Sequence, residues 1–273
     1  MFSFSSAILS CFGISALYVS SVFIFSKLPR EDVKTIKLRI ISVIFVSAIS
    51  WYPFYTFYLS EKNVLPHSCL SYLGMGTDVQ HVRAIGSTLY LLGSLYAGPL
   101  LYHVYTFQPF QGLIYCRQPW IAIRTLIVAP TSEEWVFRAC ITPLLILQGG
   151  VNPERACFLV PLFFGAAHLH HLFDLVVHQR KALSAAFVLV LFQFIFTSLF
   201  GCFGCFLFVR TGSILAPVLA HSFCNFFGLP QLTAMYRHRN AFIMLFSTFL
   251  SLILFFRLIP EMLNTKSFNS PFY

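Results

Sequence analysis

Charge is what this sequence has least of: Asp, Glu, Lys and Arg together make up 10% of its 273 residues, against roughly 25% in an ordinary soluble domain. Water alone is therefore a poor solvent for it. Linkers, internal repeats and low-complexity stretches are also missing, which leaves no basis for dividing the chain. There is no Gly-x-Ser-x-Gly elbow. Nor do two aspartates fall inside apolar runs, because Asp78 reads as a loop residue and Asp174 as the end of a run; serine and aspartyl chemistry are thereby disfavoured. H-E-x-x-H is absent as well, and with it the usual zinc-protease signature. The eight cysteines lie mostly in apolar runs, where a thiol behaves as a small hydrophobe, so no disulfide framework follows. The one local pattern, Cys202-x-x-Cys205, has no second pair and reads as packing. The tail 266–273 holds neither a C-a-a-X box nor a retention tetrapeptide, and so gives no sign of lipidation.

Apolar length is what the chain does have. Hydrophobic residues make up 58% of it, in runs that recur at about 20 residues, the length of helix that crosses ~30 Å of hydrocarbon. The runs cover approximately 6–26, 40–60, 84–107, 126–148, 156–173, 182–209, 214–229 and 241–256. They predict an all-α, polytopic membrane helix bundle of about eight spans, forming a single domain over 1–273. The run 214–229 carries Pro217 and is short for a full crossing, which predicts a broken or re-entrant helix in a place lined by protein or a cavity. The first run has no basic residue before it and no small-residue cleavage site, and is expected to be a retained span.

The formal charge of +9 does not come from Lys and Arg interleaved with aromatics on one face, which weighs against nucleic acid as a partner. The basic residues sit between apolar runs, where anionic lipid headgroups suit them. Likewise the 33 phenylalanines suit lipid-facing and packed helices. Lys27, Arg30, Lys34, Lys37 and Arg39 follow the first run, and alternation from there places eleven basic residues on that side against five on the other. The richer side is normally cytoplasmic, so the N-terminus is expected to face the opposite way.

Ionisable residues at membrane depth are costly unless paired and point to function by default. Three clusters qualify. The first runs from Ser132 through Glu133 and Glu134 to Arg138. Pro130 with Thr131 or Ser132 predicts a helix start, which would place both acids in a first turn favoured by the helix dipole. Glu134 and Arg138, four apart, share a face and can neutralise each other. Glu133 points about 100° away without a local partner, which makes it the candidate general base; the plainer reading is that both acids cap a helix at the interface. The second cluster is Phe164-Gly165-Ala166-Ala167-His168, whose small residues let a neighbouring helix approach. His170 and His171 lie nearer the boundary, where solvation accounts for them. In the third, His221 and Asn225 stand four apart on one face and can aim hydrogen-bond donors into a single cavity, which fits an oxyanion site. On the predicted topology Glu133, His168, His221 and Asn225 all fall in the cytoplasmic half.

At these residues the sequence resembles the type II CAAX prenyl endopeptidases, the Ras-converting enzyme group of membrane-embedded glutamate proteases. Their E-E-x-x-x-R motif falls on Glu133, Glu134 and Arg138, F-x-x-x-H on Phe164 and His168, and H-x-x-x-N on His221 and Asn225. The catalytic helices would then lie within about 126–229, and the first three runs carry little that is diagnostic. His168-Leu169-His170-His171 looks like the endoplasmic-reticulum members. The resemblance implies cleavage after the prenylated cysteine of farnesylated or geranylgeranylated C-a-a-X proteins, such as Ras-like small GTPases, with release of the last three residues. It implies that Glu133, helped by His168, activates water, that His221 and Asn225 stabilise the oxyanion, and that Glu134 and Arg138 hold their helix in register, with Phe164 in support. The setting it implies is the endoplasmic reticulum membrane, with the site toward the cytoplasm and the prenyl chain in an apolar groove open to lipid. No cofactor is expected. Asn225 is a poor zinc ligand, so a zinc-dependent protease using the same residues is the disfavoured alternative. A membrane scaffold, or a transporter with a midplane site, is the non-enzymatic alternative; the lack of an inverted repeat and of polar residues in the first three runs weighs against it.

Overall fold

The computed structural model describes residues 3–24, 31–76 and 79–273. The end of the first apolar run, Lys27 and Arg30 of its basic flank, and Asp78 lie outside the described residues. Every regular element among the described residues is helical, as the lengths of the apolar runs predict. Eight principal helices form the bundle: α1 (Phe4–Phe23), α2 (Val33–Glu61, with a turn at Trp51), α3 (Val79–Thr106), α4 (helical backbone over 119–148), α5 (Pro153–Ala167), α6 (Leu183–Thr211), α7 (Leu215–Phe227) and α8 (Ala241–Met262). Ser3, Asp32 and Asn152 start α1, α2 and α5 by accepting the backbone N–H of Ser6, Thr35 and Glu154, which satisfies a donor that the first helical turn leaves orphaned.

Among the described residues, six helices are long and apolar enough to cross a membrane: α1, α2, α3, the run Pro153–Val177 that contains α5, α6, and α8. Their outward faces are apolar. α6 exposes Phe187, Val188, Phe192, Ile195 and Leu199, and α8 exposes Phe242, Phe246 and Phe249. Large apolar faces of this kind suit lipid as the solvent.

The other two expected spans are set apart from these six: α4 is buried over its second half, and α7 is short. Residues 136–146 of α4 are buried on every side, which is the signature of a helix in the middle of a bundle. Val136, Phe137, Ile141, Leu144 and Leu145 pack with Cys11 and Tyr18 of α1, Val160 and Phe164 of α5, and Cys205 and Phe208 of α6 in the main core. α7 has 13 residues, about 20 Å of helix, and starts after Gly212, whose φ of 62° ends α6 in a left-handed turn. Gly74 presses against that turn: its carbonyl accepts the Ile214 N–H at 3.1 Å, and a Cβ there would lie 2.6 Å from the Phe208 ring. The short span carrying Pro217 is therefore a short helix, buried at Ala216, Pro217, Ala220 and His221. α4 and α7 are also the helices that carry Glu133, Glu134, Arg138, His221 and Asn225.

One expectation about α4 is overturned. The helix does not start at Pro130 or Ser132; its backbone is already helical from residue 119, so Glu133 and Glu134 lie deep in a helix rather than in a first turn. A proline inside a helix removes one backbone donor and crowds the preceding turn. The chain absorbs this by widening to π-type hydrogen bonding over Ile123–Val128, immediately before the proline.

Candidate active site

One face of α4 presents Arg124, Thr125, Val128, Ala129, Ser132 and Glu133 to a cavity of about 510 Å³. In the widened turn Ala129 N–H bonds back to Arg124 O, five residues earlier. In that register the next donor, at position 130, would serve Thr125 O, and proline has none. Asn225 Nδ2 supplies it instead, donating to Thr125 O at 2.9 Å. An α7 side chain thus repairs the hydrogen bond that the α4 proline omits, as a neighbouring helix can do inside a membrane protein. The second Asn225 amide hydrogen remains, and Asn225 lines the cavity.

Glu134, on the other face, is wholly buried and joins two partners. Its Oε2 lies 3.0 Å from Arg138 Nε and its Oε1 lies 2.7 Å from His221 Nδ1. The expected Glu134–Arg138 pair forms, and the bond to His221 adds a role that the spacing within one helix did not reveal. A carboxylate can only accept, so Nδ1 of His221 carries the proton and Nε2 of the neutral ring is basic. That Nε2 faces Glu133 Oε2 at 3.8 Å, too far for a direct hydrogen bond.

Arg138 is fully buried. Beyond the close but non-linear pairing with Glu134, its guanidinium lies 4.5 Å from the centre of the Phe164 ring. Its Nη1 and Nη2 have no hydrogen-bond partner among the described residues. Gly204 of α6 makes room for it, because a Cβ there would sit 3.2 Å from Arg138 Nη2 and 3.4 Å from Glu134 Oε2.

His168 begins a tight turn after α5. Its Nδ1 donates to Phe164 O at 2.8 Å, so its Nε2 is a base in the neutral ring. The ring packs edge-on to Phe164, which also touches Phe137 at 5.1 Å and His221 at 6.3 Å. Glu133, His168, His221 and Asn225 all line the one cavity. No direct hydrogen bond joins Glu133 to His168.

The first three spans contribute more than their sequences suggest. Tyr18 of α1, Arg39 of α2 and Tyr96 of α3 line the same cavity. Tyr18 Oη and Ser132 Oγ are 2.9 Å apart, which ties α1 to the turn bearing Glu133. Nothing in the sequence marks Tyr18 beyond a hydroxyl late in an apolar run. Among the described residues, no three His, Cys, Asp or Glu side chains converge as metal ligands would, and all eight cysteines are free thiols.

Residues 115–227 match the family described as type II CAAX prenyl endopeptidase, Rce1-like. A human protein named CAAX prenyl protease 2 is 33% identical over 279 aligned positions, covering 97% of this chain and 83% of that protein. A Caenorhabditis elegans protein of the same name is 30% identical, covering 81% of this chain and 82% of its own length. An Arabidopsis thaliana protein, again so named, is 44% identical over 111 positions, 41% of this chain and 35% of that protein. No solved structure matches the chain.

Proposed function

The chain belongs to the type II CAAX prenyl endopeptidase family, and from that premise we propose that Glu133 and His221 activate the water that cuts its substrates. It is a multi-pass membrane endopeptidase acting on prenylated CaaX proteins. The scaffold and transporter readings find no support in the relatives.

The observation that carries the mechanism is the relay from Arg138 through Glu134 and His221 to Glu133, with steps of 3.0, 2.7 and 3.8 Å. Its last step joins two acceptors, a carboxylate oxygen and a basic ring nitrogen. One water molecule donating a hydrogen to each would bridge that distance and be polarised for attack. Glu133 takes the proton as the water oxygen adds to the carbonyl carbon of the prenylated cysteine, and passes it to the departing amine of the tripeptide. Glu134 fixes the His221 tautomer and stabilises positive charge on the ring, much as the acid of a catalytic triad does. His221 therefore acts on the water more than on the oxyanion. The free Asn225 N–H faces the developing negative charge, and His168 offers a further basic nitrogen on the cavity wall.

The reaction is proposed to need no metal, since Asn225 is a poor zinc ligand and, among the described residues, no three His, Cys, Asp or Glu side chains converge. The protease domain is read as one unit over 1–273, with its catalytic side chains within 126–229 and cavity walls from α1 to α3. Farnesylated and geranylgeranylated Ras-like small GTPases are the proposed substrates. The basic asymmetry between loops supports a site open to the cytoplasm, and the resemblance supports residence in the endoplasmic reticulum.

The test is release of the C-terminal tripeptide from a farnesylated CaaX peptide by the purified full chain in proteoliposomes. Glu133→Gln is expected to lower kcat by roughly 10²–10⁴-fold while the peptide still binds. Undiminished release would remove Glu133 from the mechanism. The unaltered enzyme should keep its activity after dialysis against a strong chelator; loss restored by zinc alone would overturn the metal-free reading.

A further inference from the structure

A peptide drawn into a cavity among helices loses the water that satisfied its backbone, and every N–H or C=O left unpaired there weakens binding. Helix α6 offers one group suited to such a backbone. Gln193 lies well inside α6, about 15 Å along the axis from its start, beside Phe192, Ile195 and Leu199 on the exposed apolar face. An amide at this depth is costly without a partner, yet the Gln193 side chain hydrogen-bonds to nothing among the described residues. Its backbone carbonyl accepts the Thr197 hydroxyl at 2.8 Å, so Thr197 is satisfied within the helix. Gln193 is half-buried and lines the cavity that holds Glu133, His168, His221 and Asn225.

Its distance from the chemistry follows from the helix. Gln193, Phe196, Thr197 and Phe200 recur at intervals of three and four on one stripe of α6, and all line the cavity. The Phe200 ring stands 4.9 Å from the His221 ring. Gln193 is two turns, or about 10 Å, from Phe200 toward the start of α6, and two extended residues cover roughly 7 Å. Its carboxamide, at the end of a flexible side chain, therefore meets an extended peptide beside the bond being cut rather than at it. A carboxamide carries an acceptor and a donor in one plane, so it can accept from the N–H and donate to the C=O of a peptide strand. The other amides of the cavity suit this less: Asn225 is held by Thr125 O, and Gln111 is exposed.

We propose that Gln193 binds the backbone of the CaaX segment, pairing its carboxamide with a peptide group next to the scissile one and holding the segment extended across the cavity. The proposal rests on the endopeptidase reading above. Its test uses the purified full chain in proteoliposomes and a farnesylated CaaX peptide in which each non-scissile backbone amide is replaced in turn by an ester, which removes an N–H. The unaltered enzyme is expected to lose roughly 3- to 10-fold in kcat/KM at one such position. Gln193→Leu should lose a similar factor on the all-amide peptide and be indifferent to the ester at that position. Because the Gln193 side chain has no partner among the described residues, the variant's thermal midpoint should not fall. Loss of folding or a lowered midpoint in Gln193→Leu would reveal a structural partner and overturn the proposal. So would full activity of this variant on the all-amide peptide, an ester penalty that persists in it, or an unaltered enzyme that cuts every ester peptide as fast as the amide. Failure of the unaltered enzyme to cut the all-amide peptide would instead sink the endopeptidase reading itself, and the proposal with it.

Discussion

Arg138 holds a full charge at zero exposure, answered by one carboxylate and one aromatic ring. Such a pair adds little net stability, yet removing one member strands the other and costs roughly 3–5 kcal/mol. Arg138→Met should therefore lower the thermal midpoint of the purified protein, and adding Glu134→Gln should recover part of the loss, because no buried charge is then left alone. Scanning calorimetry of the two variants checks this, and a double variant no more stable than the single one would refute it. Spacing alone foretold the Glu134–Arg138 pair, since residues four apart on a helix are neighbours. The bond from Glu134 to His221 spans 87 residues of sequence and leaves no such trace, so the sequence shows Glu134 only as a brace.

At the scale of the helix, Pro130 looks like a beginning because proline usually opens helices and seldom continues them. That rule weighs a helix by itself. In α4 the missing donor is replaced from α7 by Asn225, so the break is mended from outside. Asn225→Ala should leave Thr125 O without a partner and destabilise the protein by about 1–3 kcal/mol. Introducing Pro130→Ala into that variant returns a backbone N–H and should restore part of the melting temperature. Strictly additive effects in the four-member cycle would show that the two residues are not coupled in this way. Six helices were legible from apolar length because lipid selects for it. α4 and α7 were legible as apolar runs carrying polar residues, and the short length and Pro217 of 214–229 already pointed to a place lined by protein or a cavity; the burial of α4 was not legible, since enclosure is a property of neighbours.

For the whole molecule, the arrangement of charge between spans predicts which side each loop faces. Cys116 is the exposed thiol among the eight, at the end of a short helix (Gln111–Cys116) before α4. In sealed microsomes a membrane-impermeant maleimide should label Cys116 from the cytoplasmic side without permeabilisation, read by mass spectrometry of the modified peptide. Labelling that appears only after detergent would invert the topology and turn the cavity away from cytoplasmic substrates. The convergence of α1, α2 and α3 on the cavity could not be read from their sequences, where Tyr18 and Tyr96 are isolated polar groups and Arg39 is one of a basic flank.

The enclosure of α4 bears on how the protein is made. Glu134 leaves the ribosome 87 residues ahead of His221, which at roughly 5–20 residues per second is an interval of about 4–17 seconds. Throughout it the nascent chain carries an acid and a base from a helix that lipid does not favour, before α5, α6 and α7 have arrived to surround them. The partners that bury this acid arrive after α4 itself, so biosynthesis, before any substrate is met, is where a lost glycine or misplaced charge in this region should first be felt.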